Sequence, residues 1–201
     1  MTNTIYSQPM LIQESARGYD NIRLEDELFK NRKIFLTDDI NRETATSVIK
    51  QLMILDEADD KSPISLIIST NGGSIDSGLS ICDCMNSIRA DVNVISFGLT
   101  ASMGAVIFSC GNFRSMFPSS KLLIHDPLIT ETNGSAMQIK AISDSLLDYR
   151  NIIGDLLAKN CGRTTEEILD LTSKDTYFTA QEAIDFGLAD KIITKGEFKN
   201  E

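Results

Sequence analysis

The chain has one histidine, His125, at the end of the apolar run KLLIH. It also has a serine, Ser102, set among small residues just before an apolar run in GLTASMGAVIFSCG, residues 98–111. Imidazole is the usual side chain for activating a hydroxyl near neutral pH, so His125 is the base available to any serine nucleophile here. Neither residue is decisive alone. A lone histidine is more often structural, and a serine at a helix start is more often a cap for the first-turn amides. Two glycine-bearing turns shift the weights. Asn71-Gly72-Gly73 follows the run LIIST, and Gly98 to Gly104 follows VNVIS. If both turns end strands of one parallel sheet, they share its carboxyl edge, where sites of α/β proteins lie. Glycine lets the backbone approach a ligand closely. The amides of Gly73 and Met103 then converge on an oxyanion, the main stabilising device of acyl transfer. A helix N-terminus at Ser102 adds a field that favours developing negative charge.

Other chemistries fit less well. Asn-Gly-Gly is not G-x-G-x-x-G, and no Gly-Lys-Ser/Thr follows it, so a phosphate loop is weak. Ser102 is not in a G-x-S-x-G elbow either, because the preceding glycine is Gly98. The 29 aspartates and glutamates leave the acidic partner of His125 open at this level.

The elements that must position these groups alternate. Lys33–Leu36 reads as a strand. Residues 41–59 follow as a helix, with Ala45, Val48, Ile49, Leu52 and Leu55 at helical spacing. Ile64–Ser69 reads as a buried strand by its length and β-branching. Ile75, Leu79, Cys82, Met85 and Ile88 mark the next helix, and Val92–Gly98 the next strand. A helix is expected from about Met103 to Cys110, then short strands at FRSMF and KLLIH. Residues from about 135 to 160 form one long amphipathic segment, about 36 Å at ~1.5 Å per residue. A helix of that length must project or pack on something beyond its own core. Thr164 with Glu167, and Thr179 with Glu182, are capping boxes, and Gly187 suits the left-handed residue after a helix. This order predicts an α/β fold with a largely parallel sheet.

At 201 residues the chain fits one domain. Its formal net charge of −10 argues against nucleic acid as the main partner. No apolar run is long enough for a membrane span, and the N-terminus lacks the pattern of a secretory signal. Residues 1–18 are expected to be a flexible leader or axial segment. Cys82, Cys84, Cys110 and Cys161 are too few and scattered for a disulfide scaffold or a metal site, and they suit a cytoplasmic location. No cofactor is expected.

Four segments in order resemble the proteolytic subunit of the Clp protease, over about Leu11 to Thr194. They are LIISTNGGSIDSGLSICDCM, GLTASMGAVIFSCG with its run Ala-Ser-Met-Gly-Ala, PSSKLLIHDPL, and DTYFTAQEAIDFGLADKII. The resemblance implies a serine endopeptidase with the triad Ser102, His125 and Asp175, and an oxyanion hole from the amides of Gly73 and Met103. It implies the spiral ββα fold shared with crotonases, with the segment 135–160 as a protruding helix. It also implies two stacked heptameric rings around a chamber, fed with unfolded polypeptide by a hexameric AAA+ unfoldase. The domain so implied runs over residues 19–195, with 196–201 as a tail. Rival readings are a weakly active or non-catalytic subunit of a mixed ring, and a crotonase-type acyl-CoA enzyme.

The chain departs from that family's pattern at three informative places. Asn71 replaces a proline before the paired glycines, which removes a fixed φ. Asp126 follows the histidine in place of glutamine, where a carboxylate could raise the basicity of His125 or compete for it. Lys174 precedes Asp175 in place of arginine, a point charge without a bidentate fork. These changes imply a divergent paralogue that works in a mixed or partner-activated ring.

Overall fold

Ile64, Leu66, Ile67 and Ile68 leave no polar face to their segment, and a strand without a polar face must be covered on both sides. In the computed structural model, which describes residues 9–15, 18–129 and 133–200, this segment is buried over nearly its whole length. In chain order the elements are β1 (Met10–Ser15), β2 (Gly18–Arg23), α1 (Leu24–Lys30), β3 (Lys33–Leu36), α2 (Arg42–Ala58), β4 (Ile64–Thr70), α3 (Ile75–Ser87), β5 (Val92–Ala101) and α4 (Met103–Ser109). They continue with β6 (Phe113–Met116), β7 (Lys121–Ile124), α5 (Ala136–Cys161), α6 (Thr165–Thr172), β8 (Thr176–Thr179), α7 (Ala180–Phe186) and β9 (Lys191–Ile192).

The main sheet runs β3-β4-β5-β6-β9, all parallel. β5 is long enough to serve two neighbours. Asn93–Ser96 pair with β6, and Leu99–Ala101 pair with β7. Between them lies Gly98, at φ 62°, where the chain turns in a conformation that favours glycine. β8 adds to β7 antiparallel, with Ile124 opposite Thr176. The expected mixed α/β fold with a mostly parallel sheet is therefore present. β1 and β2 form a separate antiparallel pair. That pair, α1 and the short β9 were not legible as elements in the sequence. Of the expected leader, residues 1–8, 16 and 17 lie outside the described residues.

The helices bury much of the stripes their spacing predicts. α2 buries Ala45, Val48, Leu52 and Leu55, with Ile49 half-buried. α3 buries Cys82 and Met85 of its expected stripe together with Gly78 and Ile81, which were not in it, while Ile75, Leu79 and Ile88 are half-buried against the core. Both carry a side-chain cap, Asn41 on α2 and Ser74 on α3. On the opposite face Ile67, Ile95 and Ile193 form a small second cluster with Phe97 and Phe117. Both expected capping boxes form, at Thr164–Glu167 and Thr179–Glu182, and Gly187 closes α7 in the left-handed conformation. α5 divides into two halves. It buries Ile153, Gly154, Leu157, Ala158 and Cys161, and nothing earlier. Met137, Ile139, Leu147 and Ile152 remain exposed. No helix among the described residues is long and apolar enough to cross a membrane.

Arg114 locks the C-terminal elements to the sheet. Its guanidinium donates to both Asp190 oxygens at 2.9 and 2.6 Å, and to the carbonyls of Asn160 and Gly187 at 3.0 and 2.9 Å. The side chain is 12% exposed, so removing it strands a carboxylate and two carbonyls. Arg114→Met is expected to cost about 3 kcal/mol. A melting temperature unchanged to within a degree would refute that role.

Candidate active site

The turn after β4 is held by a bridge to Ile40. Ile40 donates its amide to the Gly72 carbonyl at 2.8 Å, and Ser74 donates its amide to the Ile40 carbonyl at 2.7 Å. The Gly72 amide goes to Thr70 Oγ1 at 3.2 Å. Gly73 lies between the two bonds to Ile40, so its own amide faces the other way, and it has no hydrogen-bond partner among the described residues. Only glycine fits this turn. A Cβ on Gly73 would stand 2.2 Å from the Ile40 carbonyl oxygen, and one on Gly72 would stand 2.6 Å from Ser102 Cβ. The Gly-Gly backbone is therefore pressed directly against the serine.

Ser102 is the residue between β5 and α4. Its amide donates to the Leu123 carbonyl at 2.9 Å, one step beyond the Ala101–Leu123 pair, and its carbonyl accepts from Ala105 and Val106. The side chain makes no capping hydrogen bond, so capping does not explain the serine. Its backbone sits at φ 55° and ψ −126°, a region costly for any residue with a Cβ, by about 1–3 kcal/mol. A sharp, strained strand-to-helix turn is how nucleophile elbows expose a hydroxyl. The G-x-S-x-G pattern is absent, yet the geometry is that of an elbow. The Met103 amide opens α4 and has no partner either, as expected for a first-turn amide.

Ser102, His125, Gly73 and Met103 line one cavity of about 310 Å³. Its apolar wall comes from Ile75, Val106, Ile124, Ile153 and Leu157. Ile153 and Leu157 belong to the docked half of α5. Their i, i+4 spacing marked a buried helix face, but nothing in the sequence placed that face on the site. None of the four free cysteines lines the cavity. Burial pushes the Cys161 thiol up to about 11, which makes it a poor thiolate.

His125 is half-buried just past β7. Its Nδ1 lies 2.6 Å from the Asp126 carbonyl oxygen. A carbonyl only accepts, so Nδ1 carries the proton and the neutral ring keeps its lone pair on Nε2. Among the described residues neither Ser102 Oγ nor Asp175 is hydrogen-bonded to His125. Asp175 lies between α6 and β8, is exposed, and does not line the cavity. The antiparallel β7–β8 ladder ends one residue short of each of them, at Ile124 opposite Thr176. The Asp126 carboxylate does not compete for the ring. It accepts from Arg150 and Thr172 instead.

The profile of one protein family, described as Clp protease, matches residues 15–196. The chain belongs to the Clp protease family. The match begins at the end of β1 and closes after β9, so the whole main sheet and every site residue above lie inside it. As a Clp protease family member the chain is a peptidase, and its α/β architecture is the one expected of that family. The cavity between the glycine turn, the serine elbow and α5 is accordingly the candidate peptide-bond-cleaving site of this Clp protease chain.

Proposed function

We propose that this chain is the proteolytic subunit of an ATP-dependent Clp protease and acts as a serine endopeptidase. One observation carries the reading. A serine in a strained elbow, capping nothing, shares one cavity with the chain's one histidine and with Gly73 and Met103, whose amides have no hydrogen-bond partner among the described residues. Ser102 Oγ attacks the scissile carbonyl, and its proton passes to His125 Nε2. The carbonyl oxygen takes the negative charge and is held by the amides of Gly73 and Met103. The imidazolium then protonates the leaving amine, and water releases the acyl chain by the same steps. Asp175 supplies the carboxylate that stabilises the charged ring.

The substrate class is unfolded polypeptide, bound as an added strand, with the side chain before the cut in the apolar cavity. Leucine or methionine at that position should be cleaved at least about tenfold faster than aspartate, because burying an unpaired charge there is costly. The exposed apolar residues on the free half of α5 support assembly by α5 into two stacked heptameric rings. An AAA+ unfoldase supplies the substrate, and four free cysteines fit a cytoplasmic location.

A second reading has its own support. With Nδ1 on a carbonyl and Asp175 exposed, the isolated chain fits a subunit whose triad closes only in a mixed or partner-activated ring. Labelling with a serine-directed fluorophosphonate, beside the mass of the assembly and cleavage of fluorogenic peptides, tests both. Fast labelling and cleavage by a ring of this chain alone would exclude the second reading. No labelling at Ser102 under any condition would exclude the first.

A further inference from the structure

Asp126 has every polar group engaged. Its Oδ2 accepts from Arg150 Nε at 2.7 Å, and its Oδ1 accepts from Thr172 Oγ1 at 2.6 Å. Its amide donates to the Thr172 carbonyl at 2.8 Å, and its carbonyl accepts from His125 Nδ1 at 2.6 Å. Arg150 also donates through Nη2 to the Leu169 carbonyl at 2.6 Å. Pro127 follows and restricts Asp126 to extended backbone. Three elements thus converge on one residue: the end of β7, the C-terminal turn of α6, and α5 just before its first buried residue, Ile153.

From this juxtaposition we propose that Asp126, clamped by Arg150 and Thr172, is a positioning residue that sets the tautomer of His125 and ties the imidazole to helix α5. The inference rests on the serine peptidase reading above. A carbonyl orients a ring only as firmly as its own peptide plane is held. The two carboxylate bonds fix the Asp126 side chain and the amide bond fixes the preceding peptide, and with Pro127 restricting Asp126 to extended backbone the direction of its carbonyl follows. The neutral carbonyl keeps the proton on Nδ1 and the lone pair on Nε2, the form a general base needs toward Ser102. Asp175 is then left to stabilise the charged ring, and it does not fix the resting tautomer. Because Arg150 sits where α5 joins the body, a shift of α5 reaches the imidazole through a single ion pair.

The single histidine makes this directly measurable. The full-length chain is labelled with ring-¹⁵N histidine, and the tautomer is read at about pH 9, where an imidazole is neutral. Wild type is expected to show protonated Nδ1. Arg150→Ala and Thr172→Val should each shift the ring toward the Nε2–H form, and kcat should fall about tenfold with KM nearly unchanged. Arg150→Lys, which keeps the charge, should recover part of the loss. Asp175→Asn should leave the tautomer as in wild type. The proposal is overturned if the tautomer is unmoved in whichever of Arg150→Ala and Thr172→Val melts like wild type, or if Asp175→Asn alone moves it. Because the spectrum needs no turnover, a complete absence of Ser102 labelling under any condition would sink the peptidase reading while the tautomer still decides this one.

Discussion

Ser102→Ala is expected to lower peptide cleavage by at least about 10³-fold and to abolish fluorophosphonate labelling, with the fold and assembly retained. The side chain caps nothing and is half-exposed, so its removal takes away a reacting atom and no packing. Alanine keeps the Cβ and hence the strain of the positive φ. Glycine does not. Ser102→Gly should therefore be equally inactive yet more stable than Ser102→Ala by about 1 kcal/mol, read as a higher melting temperature. A hydroxyl that served the fold would leave both variants less stable than wild type. Residual cleavage within about tenfold of wild type would place the nucleophile elsewhere.

Gly73→Ala should be nearly as damaging by a different route. The added methyl would stand 2.2 Å from the Ile40 carbonyl oxygen and 2.9 Å from the Ile40 nitrogen, at a φ of 145° that disfavours any side chain. The Ile40 bridge must open, and the Gly73 amide turns with it. Stability is expected to fall by about 2–4 kcal/mol. Among molecules that remain folded, kcat should fall about 10²–10³-fold, the usual effect of losing one oxyanion donor, while KM changes little. Steady-state kinetics well below the melting temperature separates the two effects. A kcat within about threefold of wild type would remove Gly73 from the oxyanion hole.

The helix α5 makes both predictions sensitive to assembly. Its docked half walls the cavity through Ile153 and Leu157, while its other half exposes Met137 and Leu147. A partner covering the free half would therefore also fix one wall of the site. The Arg150–Asp126 pair stands at the junction of the two halves and is about 30% exposed on each side, so it is partly shielded from solvent.

Much of this arrangement could be read from residue types and spacing. Apolar periodicity marked β3, β4, β5, α2, α3 and α5, because burying one face or both is a local demand written in the order of side chains. The capping boxes at Thr164 and Thr179 were legible for the same reason, since each is closed within four residues. The scarcity of histidine singled out His125, and the glycine turns singled out Gly73, Ser102 and Met103 as neighbours on one sheet edge. Asp175 came from family resemblance alone. The β1–β2 pair and α1 were not legible, since they bury almost nothing and carry no clean period. What only the tertiary structure decided is how distant backbone groups meet. Ile40 consumes the bonds on either side of Gly73, and no local pattern encodes a bridge across that span. Ser102 adopts a positive φ because β5 pairs with β7 on one side of it and α4 packs on the other. The His125 proton sits on Nδ1 because the Asp126 carbonyl is held there by two helices. Each of these rests on long-range contacts fixed by the packing of whole elements; even the bond between the neighbours His125 and Asp126 is oriented by Arg150 and Thr172 from distant helices.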